Sequence, residues 1–329
     1  MVTGTGSGKR DSVPVVVIGG PTASGKSALA LAVAEAFGGT VINADSMQVY
    51  RELEILTARP GTAELSRAPH RLYGVMSASE PCSAARWREL ALAEIEMSHG
   101  AGRLPVLVGG TGLYLRALLD GLSPIPEVPP EVRAAARNRM AALGGPAFHA
   151  ELARRDPVMA ARLAPGDRQR LVRAWEVLEA TGRSLADWQA EPARADPDAP
   201  RLTPLCLVLE PPRAAVYAAC DARFRAMLEA GALEEVRRLA ALHLDPALPA
   251  MKAVGVPELM AHLRGEIDLL SAIAAAQQAT RRYAKRQFTW FRHQLPGARR
   301  LRPEGVGEQF LESLRSLIFS IIRQFLLTP

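Results

Sequence analysis

The chain has 329 residues, a formal net charge of +6 and a pI near 9.6. With 48% hydrophobic and 22% charged residues its composition is that of an ordinary globular protein, able to bury one large core or two smaller ones. Aromatics at 5% exclude broad stacking surfaces for single strands, and the small basic excess points to polyanions only where it is clustered.

Residues 1–12 read as a flexible leader; their "GTGSGK" follows no strand that could aim its amides at a ligand. Val15–Gly19 is a β-branched buried strand, and Lys26–Phe37 has helical character. "GGTVINAD" supplies a turn and a second buried strand that ends at Asp45. Ser83–Gly100 carries Trp87, Leu90, Ala91 and Ile95 at helical spacing, and Pro105–Val108 is a third buried strand. Strands alternating with helices predict a parallel α/β sheet with helices on both faces. The pattern then breaks at a proline-rich hinge, 121–131. Beyond it only helical periodicity is found, over Val132–Leu143, Phe148–Arg155 and Arg168–Thr181. A second proline-rich linker, 191–204, precedes the strand "LCLVLE", and the remainder reads as helical, including Leu269–Gln294. The expected organisation is one α/β core domain, 13–120 plus 204–329, with an inserted helical domain, 121–203. "ATRRYAKRQFTWFR" is the densest basic stretch. Its like-charge pairs at i,i+4, Arg281 with Lys285 and Arg282 with Arg286, suit a polyanion partner; Tyr283, Phe288, Trp290 and Phe291 read as core. Cys82, Cys206 and Cys220 are widely spaced, with no C-x-x-C, which excludes a zinc ribbon and a disulfide framework and fits reduced cytoplasmic thiols. No apolar run approaches the length of a membrane span, so no membrane is expected; the apolar C-terminal "SLIFSIIRQFLL" reads as a docked helix.

In a doubly wound sheet, ligands sit beyond the carboxyl ends of the strands. The first such end, Gly20, Pro21, Thr22, Ala23, Ser24, Gly25, Lys26 and Ser27, fits G-x-x-x-x-G-K-[ST], the P-loop phosphate cradle. Its amides and the following helix N-terminus favour an anion, Lys26 adds a point charge, and Ser27 offers a hydroxyl to Mg²⁺. At the second end, "NADSMQVY", Asp45 stands beside the cradle; with Gln48 three residues on, it is either a helix cap or a catalytic carboxylate. The third end, "LVGGTGLY", carries Gly109, Gly110 and Thr111 where many P-loop nucleotide hydrolases place a Mg²⁺-holding aspartate. Its glycines allow close approach to a ligand or a tight turn. A phosphate cradle, one carboxylate and one hydroxyl lack the acid of nucleotide hydrolysis. They suit a reaction in which diphosphate leaves while the carboxylate takes a proton from the incoming nucleophile.

Together "GPTASGKS", "NADSMQVY", "TARP", "PHRLYGV", "LVGGTGLYLRALLDGLSPIP", "DRQRLVRAWEVLEATGRSL" and "AKRQFTWFR" resemble the bacterial tRNA dimethylallyltransferase (IPP transferase) family, in the family's order, from Val15 to Arg292. The resemblance implies transfer of a dimethylallyl group from dimethylallyl diphosphate to the exocyclic amine of adenosine-37, 3′ of the anticodon, in tRNAs reading codons that begin with U. It implies a Mg²⁺-dependent cytoplasmic monomer whose cradle holds the prenyl diphosphate. By that resemblance Asp45 is the general base, Thr111 lies by the bond being broken, and Arg223 clamps the leaving diphosphate with Lys26. The anticodon stem-loop would be contacted by Asp45, Ser46, Met47 and Gln48, by Thr111 and Arg133, by Gln169, Arg170, Leu171, Val172 and Arg173, and by Arg282 and Arg286. The chain departs from the family at Gly255–Glu258, where a tyrosine and a basic residue usually follow the glycine. The alternatives are an isopentenyltransferase acting on free adenine nucleotides, a small-molecule kinase using ATP in the same cradle, and an RNA-binding protein with a vestigial site.

Overall fold

The computed structural model describes residues 12–192 and 199–328. The leader, up to residue 11, and residues 193–198 of the second linker lie outside the described residues. In chain order the elements are β1 (Val13–Gly19), α1 (Lys26–Phe37), β2 (Thr40–Asn43), α2 (Thr62–Leu65), β3 (His70–Arg71), α3 (Ala84–Gly100), β4 (Pro105–Gly109) and α4 (Gly112–Leu119). There follow α5 (Pro130–Arg155), α6 (Pro157–Arg162), α7 (Arg168–Thr181), α8 (Leu185–Ala190), β5 (Leu202–Leu209), α9 (Arg213–Glu229), α10 (Ala232–Ala240), α11 (Val256–Leu263), α12 (Leu269–Gln294), β6 (Arg299–Leu301) and α13 (Glu308–Leu327).

The six strands form one parallel sheet in the order β3-β2-β4-β1-β5-β6. β1 lies at its centre, with Gly19 opposite Gly109 of β4 on one side and Val208 of β5 on the other. Side chains alternate across a strand, so the continuous apolar run of β1 feeds two cores. Val15 and Val17 join Ile42, Leu107 and Trp87 on one face. Val16 and Ile18 join Val41, Val106, Leu29 and Val33 on the other. The sequence reading missed β3 and β6, two and three residues long, because so short a run shows no periodicity; β6 interrupts a stretch expected to be helical. The C-terminal helix α13 packs on the second face: Ile318 and Ile322 are wholly buried, and Phe319 meets Phe37 edge-on at 5.4 Å. No helix among the described residues is long and apolar enough to cross a membrane.

The chain divides into two compact units, Met1–Leu119 with Asp198–Pro329, and Asp120–Pro197. The second has its own helical core, with Phe148, Leu152, Leu171 and Val177 fully buried and Arg139 and Arg155 lying over Trp175. The two helices expected at 132–143 and 148–155 run together as α5, broken at Gly144, whose φ of 72° leaves the helical region, just before Pro146.

In the sheet-bearing unit, buried Glu235 of α10 organises a loop that has no regular structure. Its carboxylate accepts the backbone N–H groups of Glu54, Ile55 and Leu56 at 2.8, 2.7 and 3.0 Å. Removing it leaves three backbone donors in a partly buried loop without their acceptor. Glu235→Ala is therefore expected to destabilise this unit by about 3 kcal/mol, read as a lower denaturant midpoint with an unchanged slope.

Candidate active site

The cradle is a backbone object. Gly20 has φ 152° and lies so close to β5 that a Cβ there would sit 2.9 Å from the Leu209 carbonyl oxygen. Ala23 and Gly25, at φ 60° and 90°, hold the loop in its sharp left-handed turns before α1 begins. Ser24 is buried, and its hydroxyl has no hydrogen-bond partner, an orphan donor inside a loop shaped for phosphate oxygens. The Lys26 ammonium donates to the Pro21 carbonyl at 3.3 Å. The residue as a whole is half-buried but its charged end is desolvated. That pushes its pKa down to about 8, against the opposing pull of Asp45 and with added repulsion from Arg223.

Arg223 on α9 donates to the Thr22 hydroxyl, and burial lowers its pKa in the same way. Two desolvated cations thus flank the glycine-rich turn. Asp45 lies two residues past the end of β2. Its Oδ1 accepts the Met47 N–H at 2.9 Å, closing a turn over residues 46–49. The helix-cap alternative is therefore corrected: no helix begins here, and the second carboxylate oxygen takes no part in the turn. Thr111 at the end of β4 accepts the Ser46 N–H at 2.9 Å and bonds the Ser46 hydroxyl at 3.2 Å, joining the second and third strand ends.

Thr22, Asp45, Ser46, Met47 and Arg223 line one cleft of about 220 Å³ with Tyr283 and Arg286 of α12. Tyr283 is the residue that sequence reasoning misplaced. It was read as core, yet it faces the cleft, where burial and then the charge of Asp45 raise the pKa of its phenol. The signal was its i,i+3 relation to Arg286, whose guanidinium lies 5.6 Å from the tyrosine ring centre. The Gln48 amide nitrogen donates to the carbonyls of Thr57 and Ala58 at 2.8 and 3.0 Å. Gly109 and Gly110, where the chain bends between β4 and α4, also lie close against other parts of the protein. A Cβ on Gly109 would strike the Ala44 backbone at 2.1 Å, and one on Gly110 would strike the Gln287 side chain at 2.0 Å. Ser27 is exposed and lines a separate pocket of about 450 Å³ with Arg59, Tyr73 and Arg315. Among the described residues no group of three or more His, Cys, Asp or Glu could hold a metal ion. The Ser27 hydroxyl still fits Mg²⁺, which commonly takes one or two protein oxygens and completes its shell from phosphates and water.

Of the residues expected on the helical unit, Gln169 and Arg170 are exposed, and Arg170 and Arg173 pair with Asp167 and Glu176, each at 3.4 Å. The Arg133 Nε is buried without a partner. Leu171 is corrected: it is fully buried in the helical core, as the i,i+4 face of α7 demands, and its side chain is not available to a partner. Val172 packs partly against that core. Arg281 is held by both carboxylate oxygens of Asp221 at 2.5 and 2.7 Å, whereas Arg282 and Lys285 are exposed. The departure at Gly255–Glu258 keeps a helix start: Gly255 has φ 98°, and Glu258 accepts its N–H at 3.0 Å.

A family model described as IPP transferase matches residues 48–294, and one described as isopentenyl transferase matches residues 13–80. A Rhodospirillum centenum protein named tRNA dimethylallyltransferase is 66% identical over 290 residues, covering 88% of this chain and 92% of that one. A protein of the same name from Paramagnetospirillum magneticum is 57% identical over 317 residues, 96% of this chain and 98% of the other. The crystal structure of full-length tRNA isopentenylpyrophosphate transferase from Bacillus halodurans matches with a TM-score of 0.67 at 29% identity, covering 96% of this chain and 98% of that one. A eukaryotic dimethylallyltransferase solved acting on tRNA matches with a TM-score of 0.73 at 27% identity, over 88% and 74% of the two chains.

The lowered pKa of Lys26 has a measurable sign. Its ammonium is present below pH 8 and is lost above it. Affinity for inorganic diphosphate, measured by calorimetry, is therefore expected to fall as pH rises past 8, by up to about tenfold per unit. Lys26→Arg stays protonated throughout and should show no such fall.

Proposed function

The chain belongs to the IPP transferase family, and on that premise we propose that it transfers a dimethylallyl group from dimethylallyl diphosphate to the exocyclic amine of adenosine-37 in tRNA. The observation that carries this reading is the meeting of Thr22 and Arg223 with Asp45 in one cleft, with the Lys26 ammonium near enough to feel the charges of both Asp45 and Arg223. Two desolvated cations and an unpartnered hydroxyl surround the place where diphosphate would sit, and a carboxylate faces it. No acid ends β4, so the arrangement favours neither nucleotide hydrolysis nor a kinase.

In the proposed reaction the free oxygen of Asp45 accepts a proton from the adenine amine as that nitrogen attacks the first carbon of the dimethylallyl group. The bond from that carbon to the bridging oxygen breaks, and diphosphate departs with the electron pair. Lys26, Arg223 and the loop amides take up the developing charge, already oriented and dehydrated before substrate arrives. The Thr111 hydroxyl stands at the Asp45 turn to hydrogen-bond near the breaking bond. Mg²⁺ held by the Ser27 hydroxyl and the diphosphate oxygens would supply further neutralising charge.

The acceptor is read as the anticodon stem-loop of tRNA rather than a free nucleotide, because α12 places exposed Arg286 in the cleft wall and also exposes Arg282 and Lys285. The flanking bases of a single-stranded loop give such a surface something to recognise. The helical unit, 121–203, is assigned to tRNA binding, the protein to the cytoplasm, and the working form to a monomer. Between Asp120 and Pro197 the sequence has eleven basic and eleven acidic residues. The helical unit therefore acts through particular side chains and not through bulk charge.

Two measurements test this reading. At equal acceptor concentration, a stem-loop with adenosine 3′ of the anticodon is expected to react far faster than AMP, and Asp45→Asn to lower the rate by about 10²–10⁴ while diphosphate binding persists. A comparable rate with AMP moves the protein to free nucleotides. Exposed pairs such as Arg170–Asp167 are weak and can yield to phosphate. Replacing Arg170 and Arg173 with alanine is expected to lower the salt slope of stem-loop binding by about one unit per lost contact, without changing diphosphate affinity.

A further inference from the structure

Gln287 is buried at 4% exposure on α12, on the helix side away from exposed Arg282 and Lys285. Its Oε1 accepts the Thr22 N–H at 2.8 Å, and its Nε2 donates to the Gly110 carbonyl at 2.9 Å. The carboxamide thus ties the phosphate cradle to the end of β4. The fit is close, since a Cβ on Gly110 would lie 2.0 Å from that Nε2. Thr22, fixed through its N–H, offers its hydroxyl to Arg223. One continuous chain of hydrogen bonds therefore runs from Gly110 through Gln287 and Thr22 to the guanidinium that faces the cleft.

We propose that Gln287 is a positioning residue for the donor substrate: it holds Thr22, and through it Arg223, in the geometry that receives diphosphate. The inference rests on the reading of Gly20–Ser27 as the diphosphate cradle. Gln287 donates and accepts at the same time, and this site needs both. Methionine has similar length and volume but does neither. A carboxylate can accept from Thr22 but opposes the Gly110 carbonyl; once protonated, it can donate there again. Without the clasp the Thr22 amide turns to another partner, Arg223 loses its seat, and the clamp must reorganise each time diphosphate binds.

The test uses the full-length protein, inorganic diphosphate as the binding probe, and steady-state transfer from dimethylallyl diphosphate to an anticodon stem-loop. Gln287→Met is expected to weaken diphosphate binding and raise KM for dimethylallyl diphosphate about tenfold or more, with KM for the stem-loop within twofold of the parent. Gln287→Glu adds a readout that loss of packing would not move. Its kcat/KM for dimethylallyl diphosphate, relative to the parent at each pH, is expected to rise at least about threefold from pH 8 to pH 6 as the new carboxyl protonates, while the same ratio for Gln287→Met stays flat. A parent that binds no diphosphate overturns the cradle reading and this inference with it. A parent that binds diphosphate beside a Gln287→Met variant that binds it equally well overturns the inference alone, and so does a Gln287→Glu ratio that does not change with pH.

Discussion

The site depends on how closely one helix can approach the carboxyl edge of a parallel sheet. α12 lies across the ends of β1 and β4, and glycines stand where its large side chains arrive. A Cβ on Gly19 would meet the Phe291 ring at 2.5 Å, and one on Gly112 would meet Trp290 at 2.1 Å. Relief of these overlaps lets a single helix bury Phe291 and present Tyr283 and Arg286 to the cleft. Overpacking of this kind commonly costs about 1–3 kcal/mol where the backbone must give way. The glycines of "LVGGTG" stand where protein packs closely, and the side chain that this strand end brings to the Asp45 turn is Thr111.

The second constraint is electrostatic. Lys26 and Arg223 both carry lowered pKa values because water has been withdrawn from them; Arg223 lowers that of Lys26 further, and Asp45 opposes the shift of each. Two desolvated cations around one turn favour an anion with more than one charge, which a diphosphate provides. Asp45 is half-buried and near enough to both cations to oppose the lowering of their pKa values. In the proposed reaction, binding of the donor and preparation of the base would share one set of side chains.

Much of this was legible in the chain. The β-branched run of β1, the P-loop spacing and the alternation of strands and helices led to the parallel sheet. The extents of α1, α7 and α12 were read as they stand. What escaped has physical causes. β3 and β6 are too short to carry a period, and are strands only because β2 and β5 offer them an edge. Leu171 was grouped with its basic neighbours by sequence proximity, whereas a helix sorts residues by face and buries it. Tyr283 and Gln287 sit in a densely charged stretch, and the contacts of Gln287 join residues 265 and 177 positions apart in sequence, which no local pattern marks. The place of Asp45, just past β2 and in the cleft wall, is legible because a strand end is a topological place that sequence patterns do mark.

The measurement that bears most directly on the whole account is mass analysis of the nucleosides released from an anticodon stem-loop after incubation with the protein and dimethylallyl diphosphate, with diphosphate release followed in parallel. The account predicts one five-carbon group on the exocyclic nitrogen of the adenosine 3′ of the anticodon, and one diphosphate released for each group transferred. An unmodified stem-loop, or a modified base whose formation consumes ATP and releases no diphosphate from the prenyl donor, would contradict it.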